Sequence, residues 1–204
     1  MAGLRAKHKA DRHQRIVEAA ARLFRAQGYD TVKMEAIAAA AEVSIGTIYN
    51  YYRNKGDLLV AIVSMEVHEV LAAGERVIAD PPRHAEKAVA KLIATYIEHG
   101  LVYLSKEMWR QAMAITTQQP DSPCGVAYNE LDEALARQTV KLIRKLQTLS
   151  LVQVGVDAQA IGEMIFNNTN MMFTIFVKHE AMSVATLLTR LRRQNRTLVQ
   201  AIAA

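Results

Sequence analysis

The stretch that most restricts what this chain can become runs from Thr31 to Lys55, TVKMEAIAAAAEVSIGTIYNYYRNK. It reads as two short helices joined by a tight turn. In the first, Ile37, Ala38 and Ala41 share one face and point to a core. Val43 and Ser44 form the turn, and the Ser44 hydroxyl is placed to accept from the unpaired N–H groups of the next first turn. In the second helix, Ile48 and Tyr52 lie one turn apart and face inward. Ile45, Gly46, Thr47, Tyr49, Asn50 and Tyr51 are left facing outward or beside that face. So many aromatic, hydroxyl and amide groups on a short exposed helix suit the major groove of DNA, where they meet phosphates and base edges.

Charge points the same way. From Met1 to Gly56 there are ten Lys and Arg (Arg5, Lys7, Lys9, Arg12, Arg15, Arg22, Arg25, Lys33, Arg53, Lys55) against five acids (Asp11, Glu18, Asp30, Glu35, Glu42). Ten minus five is +5, the net charge of the whole chain, so the remaining residues balance. All the excess positive charge accompanies the candidate DNA-binding segment.

The rest of the chain reads as helix. Gly and Pro are few (9 and 4 in 204 residues), half the residues are apolar, and no segment alternates with strand period. The fold class expected is all-α. Residues Met1 to Ala10 are basic without an apolar period and read as a mobile arm that could reach DNA or simply stay disordered. The first helix is expected to start near Asp11, with Gln14 completing a box-like cap, and to end at Gly28. Asn54 is expected to cap a long fourth helix that ends at Asp80-Pro81-Pro82. Further caps fall at Ser122 before Pro123, at Asp157 and at Ser183. The last helix carries Val184, Leu187, Leu188, Leu191, Leu198 and Ile202 on one side and Arg190, Arg192, Arg193 and Arg196 on the other. Three asparagines, Asn167, Asn168 and Asn170, sit in the otherwise apolar eighth helix. At least one is expected to bond a ligand, a water or a partner subunit, because a buried unpaired amide is costly.

The segment Ile37-Ala38, Val43-Ser44, Gly46-Thr47-Ile48-Tyr49, Tyr51-Tyr52, Lys55 and Leu58-Leu59, with Leu23-Phe24 and Gly28-Tyr29 upstream, resembles the signature of the TetR family of bacterial one-component repressors. The resemblance covers about the first third of the chain. Two positions depart from it: Glu42 stands where the family usually has a turn glycine, and Lys33 where a Ser or Thr usually caps the second helix. The resemblance implies a basic arm and three-helix helix-turn-helix domain over 1–56 and a larger helical ligand-binding and dimerisation domain over 57–204. It implies a homodimer through the last two helices, on a palindromic double-stranded DNA operator. By that likeness Thr47, Tyr49, Tyr51 and Lys55 anchor phosphates, with Arg53 and Lys33 as further phosphate contacts, and Ile45, Gly46 and Asn50 approach base edges. It also implies a small-molecule effector pocket among helices four to eight. Candidates are Met65, His68, Tyr96, Trp109, Met113, Phe166, Asn167, Asn170 and Phe173, each of which also reads as an ordinary core position.

Other functions find little support. His68-Glu69 begins like a zinc-protease helix but lacks the second His, and there is no Gly-rich phosphate loop or nucleophile elbow. The single cysteine, Cys124, excludes an intramolecular disulfide and fits a reducing cytoplasm. The N-terminus has no apolar signal core, and the most apolar stretch, Ile161 to Val177, is broken by Glu163 and the asparagines, so no membrane span is expected. The expectation is a cytoplasmic, ligand-responsive repressor, with no enzyme activity, cofactor or metal. A regulator that activates or needs a co-ligand, and a non-specific nucleoid-type binder, are the competing readings.

Overall fold

Most of the helices in this chain begin where a side-chain oxygen receives the first free N–H groups. Ser44 Oγ accepts from Thr47 N at 3.1 Å, Asn54 Oδ1 from Asp57 N at 3.0 Å, and Ser122 Oγ from Gly125 N at 3.1 Å. Asp157 Oδ1 accepts from Gln159 N and Ala160 N at 2.9 and 3.2 Å, and Ser183 Oγ from Thr186 N at 3.1 Å. Each such cap satisfies donors that would otherwise be orphaned, typically for about 1 kcal/mol. Ser105 supplies one more, from Met108 N at 3.2 Å, which the sequence pattern did not single out.

The computed structural model describes residues 2–204, and side chains from residue 7 onward. Among the described residues the helices are α1 (Ala2–Gln27), α2 (Met34–Ala40), α3 (Ile45–Tyr49), α4 (Lys55–Ala79), α5 (Ala85–His99), α6 (Lys106–Gln118), α7 (Pro123–Thr148), α8 (Ala158–Lys178) and α9 (Val184–Ile202). The only β-type pairing among them is an isolated antiparallel bridge between Val152 and Ala203. The all-α expectation holds. No described helix is long and apolar enough to cross a membrane.

Two boundaries differ: α3 ends at Tyr49, so Tyr52 lies beyond it with its N–H bonded to the Ile48 carbonyl oxygen at 2.9 Å, and α1 starts early. The first helix does not wait for Asp11 but runs from Ala2, so the basic segment expected as a mobile arm is part of α1. Once Ile16 to Phe24 hold the helix against a core, adding Ala, Lys and Arg residues upstream costs little, because propagation is far easier than nucleation. Asp11 is then an interior residue. Gln14 closes no cap; its amide donates to Glu18 Oε1 at 2.8 Å.

The chain divides into two compact units, Met1–Glu66 with Tyr103–Tyr128, and Val67–Val102 with Asn129–Ala204. In the first unit, Ile16, Ala19, Ala20 and Phe24 of α1 are buried with Ile37 and Ala38 of α2, Ile48 of α3, and Leu58, Leu59 and Ile62 of α4. Burying each large aliphatic side chain supplies about 1.5–3 kcal/mol, which is what holds a five-residue helix such as α3 in place. Gly28 follows α1 at φ +84, a left-handed conformation that glycine adopts without strain. In the second unit α9 packs on α5 and α8, with Leu187, Leu191 and Val199 buried against them.

Candidate functional site

Ser44 fixes where α3 starts, and Ile48 and Tyr52, both buried, fix which way it faces. The opposite face is then open to solvent. Ile45 is 37% exposed and Tyr49 50% exposed, with Gly46 and Asn50 exposed beside them. A β carbon built at Gly46 meets nothing closer than Ser44 Oγ at 4.0 Å, so the backbone here is bare on its outer side. The Tyr49 hydroxyl makes no hydrogen bond among the described residues. Thr47 is half-buried, and its hydroxyl shares a 2.8 Å hydrogen bond with Ser44 Oγ.

A second wall stands next to this face. His8, Lys9 and Arg12 of α1 line a cleft of about 660 Å³ with Thr47, Asn50 and Tyr51. The Tyr51 hydroxyl donates to the Lys9 carbonyl oxygen at 3.3 Å, and its ring lies 6.1 Å from that of His13. The extended α1 therefore sets cations beside the exposed helix. The spacing of Lys9 and Arg12, three residues apart, could have shown this had the helix been expected to run that far.

The remaining basic candidates are braced from within. The Lys55 ammonium donates to the carbonyl oxygens of Tyr29 and Asp30 at 2.8 and 2.9 Å. The Arg53 guanidinium makes two bonds to Asp57, at 2.9 and 3.3 Å, while the Arg53 backbone N–H donates to the same carboxylate at 3.0 Å. The Cys124 thiol donates to Asp57 as well, at 3.1 Å. Burial pushes the Asp57 carboxyl up, but the bonds from Arg53 and Cys124 outweigh it and hold the group below its ordinary value. Burial and the Asp57 carboxylate push the Cys124 thiol up to about 11, so it stays protonated and donates. Lys33 is exposed at the start of α2 and makes no capping bond.

The effector candidates fall in both units. Met65, Trp109 and Met113 belong to the first, with Trp109 buried and the two methionines half-buried. Of those in the second, Tyr96 is buried and donates to Gln138 Oε1 at 2.8 Å, and Gln138 Nε2 in turn donates to the Leu71 carbonyl and Glu75. Phe166 is buried, Phe173 half-buried with its ring 5.8 Å from Phe176, and His68 exposed. Asn168 donates to Gln194 and Asn195 of α9, and Asn170 to Asp132 of α7, both at 3.2 Å, so two of the three amides find partners inside the chain; Asn167 is exposed. Among the described residues no group of three His, Cys, Asp or Glu side chains could hold a metal ion.

The sequence profile of the bacterial regulatory proteins, tetR family, matches residues 16–62, from the inner stripe of α1 to the first turns of α4. Over that segment the chain matches the TetR family. It is similar to the HTH-type transcriptional repressor KstR of Rhodococcus jostii, 31% identical over 91 residues, 45% of this chain and 41% of KstR, so that match spans less than half of the relative. It is 24% identical to the fatty acid metabolism regulator protein of Bacillus subtilis over 85% of this chain and 88% of that one. In fold it resembles a TetR-family transcriptional regulator from Pectobacterium atrosepticum, with a TM-score of 0.71 and 18% identity over 98% of this chain and 97% of the other. It also resembles the regulator FadR from Bacillus subtilis in complex with stearoyl-CoA, with a TM-score of 0.64 and 21% identity over 88% of this chain and 95% of the other. The family's proteins are regulators, not enzymes.

Both departures fall within the matched segment. TetR-family turns usually hold glycine where this chain has Glu42, and Glu42 takes φ 54, the left-handed conformation a glycine would adopt freely. The turn is kept and the strain accepted. At Lys33 the missing cap leaves the first N–H groups of α2 without a side-chain acceptor.

Proposed function

We propose that the protein is a cytoplasmic, ligand-responsive, sequence-specific transcriptional repressor that acts as a homodimer on a palindromic operator and is released by a small lipophilic inducer. The observation that carries the reading is α3, a five-residue helix capped by Ser44 and anchored by buried Ile48, with Ile45, Gly46, Tyr49 and Asn50 presented outward. In the groove, Ile45, Gly46 and Asn50 approach base edges, and Thr47, Tyr49 and Tyr51 meet phosphates. Lys33, Arg53 and Lys55 add positive potential along the backbone. The internal bonds of Arg53 and Lys55 make them positioning groups as much as phosphate contacts.

Dimerisation through the last two helices is supported by α8. Met164 and Met171, 55% and 60% exposed, stand two turns apart on one face with exposed Asn167 between them. The apolar stripe of α9 is largely consumed within its own unit, so α8 supplies the free apolar surface. A lipophilic inducer is supported by the mostly apolar candidate set and by the stearoyl-CoA held by the related FadR. Release is a population shift. To lower operator occupancy a hundredfold, the inducer must favour the released state by about 2.7 kcal/mol.

The test is selection of bound sequences from a random duplex pool at moderate salt. A recovered palindrome is expected. Binding with no preferred sequence, lost steeply as salt rises, would instead show a purely electrostatic, nucleoid-type binder.

A further inference from the structure

In the second unit a crevice of about 290 Å³ opens between α5 and α9. Its floor is apolar, made by Val89 and Ile93 of α5 and Leu188, Leu191 and Val199 of α9. Its rim is not. Lys87, Arg192 and Arg196 stand there against a single acid, Glu86. Glu86 is already taken, because Arg196 Nε donates to its Oε1 at 2.8 Å. Lys87 and Arg192 make no ion pair or hydrogen bond among the described residues, so the rim carries two uncompensated cations.

Asn195 adds a donor from below. It also lines the crevice and is only 7% exposed. Its Oδ1 accepts from Asn168 Nδ2 at 3.2 Å, an arrangement that turns Nδ2 away from Asn168. That amide nitrogen makes no hydrogen bond among the described residues. Because Asn195 lines the crevice, this donor is available to an acceptor lying there.

We propose that this crevice is a binding site for a small amphiphilic carboxylate. Its chain lies on the Val89–Leu191 floor and its carboxylate is received by Arg192, Lys87 and Asn195. A guanidinium matches a carboxylate in planar, bidentate fashion, and a neighbouring apolar floor lowers the competition from water. At about 30 Å³ per water-sized group the space admits on the order of ten non-hydrogen atoms, so a medium-length chain fits. No lining residue belongs to the effector candidates named above. The site therefore stands whether or not the regulator reading does.

Calorimetric titration of the full chain with decanoate, below its micellar range, tests the assignment, with decanol as the uncharged counterpart. Saturable binding at one decanoate per chain is expected, with decanol at least tenfold weaker. Arg192→Glu should weaken decanoate at least tenfold, and Ala90→Trp, which fills the crevice, should abolish binding. Circular dichroism confirms that both variants stay folded. Absence of saturable binding, or equal affinity in the wild type and both variants, would overturn the proposal. So would binding lost in Tyr96→Phe but kept in Arg192→Glu, since the carboxylate would then sit elsewhere. A change of sedimentation mass in Arg192→Glu without any decanoate site would assign the crevice to a second copy of the chain and also overturn it.

Discussion

Lys55 is tied to Tyr29 twice: its ammonium donates to the Tyr29 carbonyl oxygen at 2.8 Å and lies 4.8 Å from the centre of the Tyr29 ring. With the further bond to Asp30, two of its three donors are committed to the segment between α1 and α2. A residue whose only task was to hold a phosphate would cost no stability when removed. Lys55→Met keeps the length of the side chain and loses the bonds, and it should destabilise the protein by about 1–2 kcal/mol, since a charged donor to partly buried carbonyls is worth more than a neutral one. Urea unfolding of the two proteins measures this. An unchanged midpoint would show that Lys55 serves DNA alone.

Glu42 offers the opposite case, a position where change should help. It holds φ 54, and its contact with Arg15, 3.7 Å between largely exposed groups, contributes little. Glu42→Gly removes a left-handed cost of about 1–2 kcal/mol and adds backbone entropy to the unfolded chain, for an expected net gain of about 0.5–1 kcal/mol. It also removes a negative charge just before the recognition helix. Binding to random duplex at low salt should therefore tighten, measured by fluorescence anisotropy, while the melting temperature rises.

What could be read in the sequence was local. Ser44, Asn54, Ser122, Asp157 and Ser183 each act within three residues of themselves, and their caps are where the pattern puts them. The inner and outer faces of α3 were legible for the same reason, since Ile48 needs only helical spacing to turn inward. The α1 extension was hidden because Lys7 to Arg12 bury nothing, and an apolar period is the only mark a helix leaves over such a stretch. Partners far apart in the chain were beyond reach. Nothing near Lys55 names Tyr29, nothing near Asp57 names Cys124, and nothing near Asn168 names Asn195. The inclusion of Tyr103–Tyr128 in the unit of α1 to α3 is likewise a matter of tertiary packing, which leaves no periodic trace.

Asp132 gives a pH test. Burial pushes its carboxyl up from 3.8 to about 6, against the opposing effect of the hydrogen bond from Asn170. Above about pH 6 the group is ionised in both folded and unfolded chains, and the folded state bears the cost of burying the charge. As pH falls from 6 towards 3.8 the folded state holds a proton that the unfolded chain has released, so this group's contribution to stability improves. Asp132→Asn keeps an acceptor for Asn170 and removes the charge. It should raise stability at pH 7.5 by about 1–3 kcal/mol, since each tenfold difference in proton affinity between the folded and unfolded chains is worth roughly 1.4 kcal/mol. At pH 4 the gain should nearly vanish. Urea midpoints at the two pH values decide it: an equal effect at both would mean Asp132 titrates like an exposed carboxylate.

Gly46 separates folding from recognition. Its backbone is helical, with no left-handed demand, and a β carbon there would meet nothing in the protein nearer than 4.0 Å. Gly46→Ala should therefore leave the fold intact and stabilise it by up to about 1 kcal/mol through helix propensity. In the proposed complex the same methyl group faces the groove, where the backbone of α3 approaches the bases. Operator affinity should fall at least tenfold while binding to random duplex, carried by phosphate contacts, changes less. The measurement is a pair of titrations, selected site against random duplex, beside a thermal melt. Lost stability with affinity unchanged would place the need for glycine in folding. Unchanged affinity in a stable variant would remove Gly46 from the base-facing surface and shift base readout to Ile45 and Asn50.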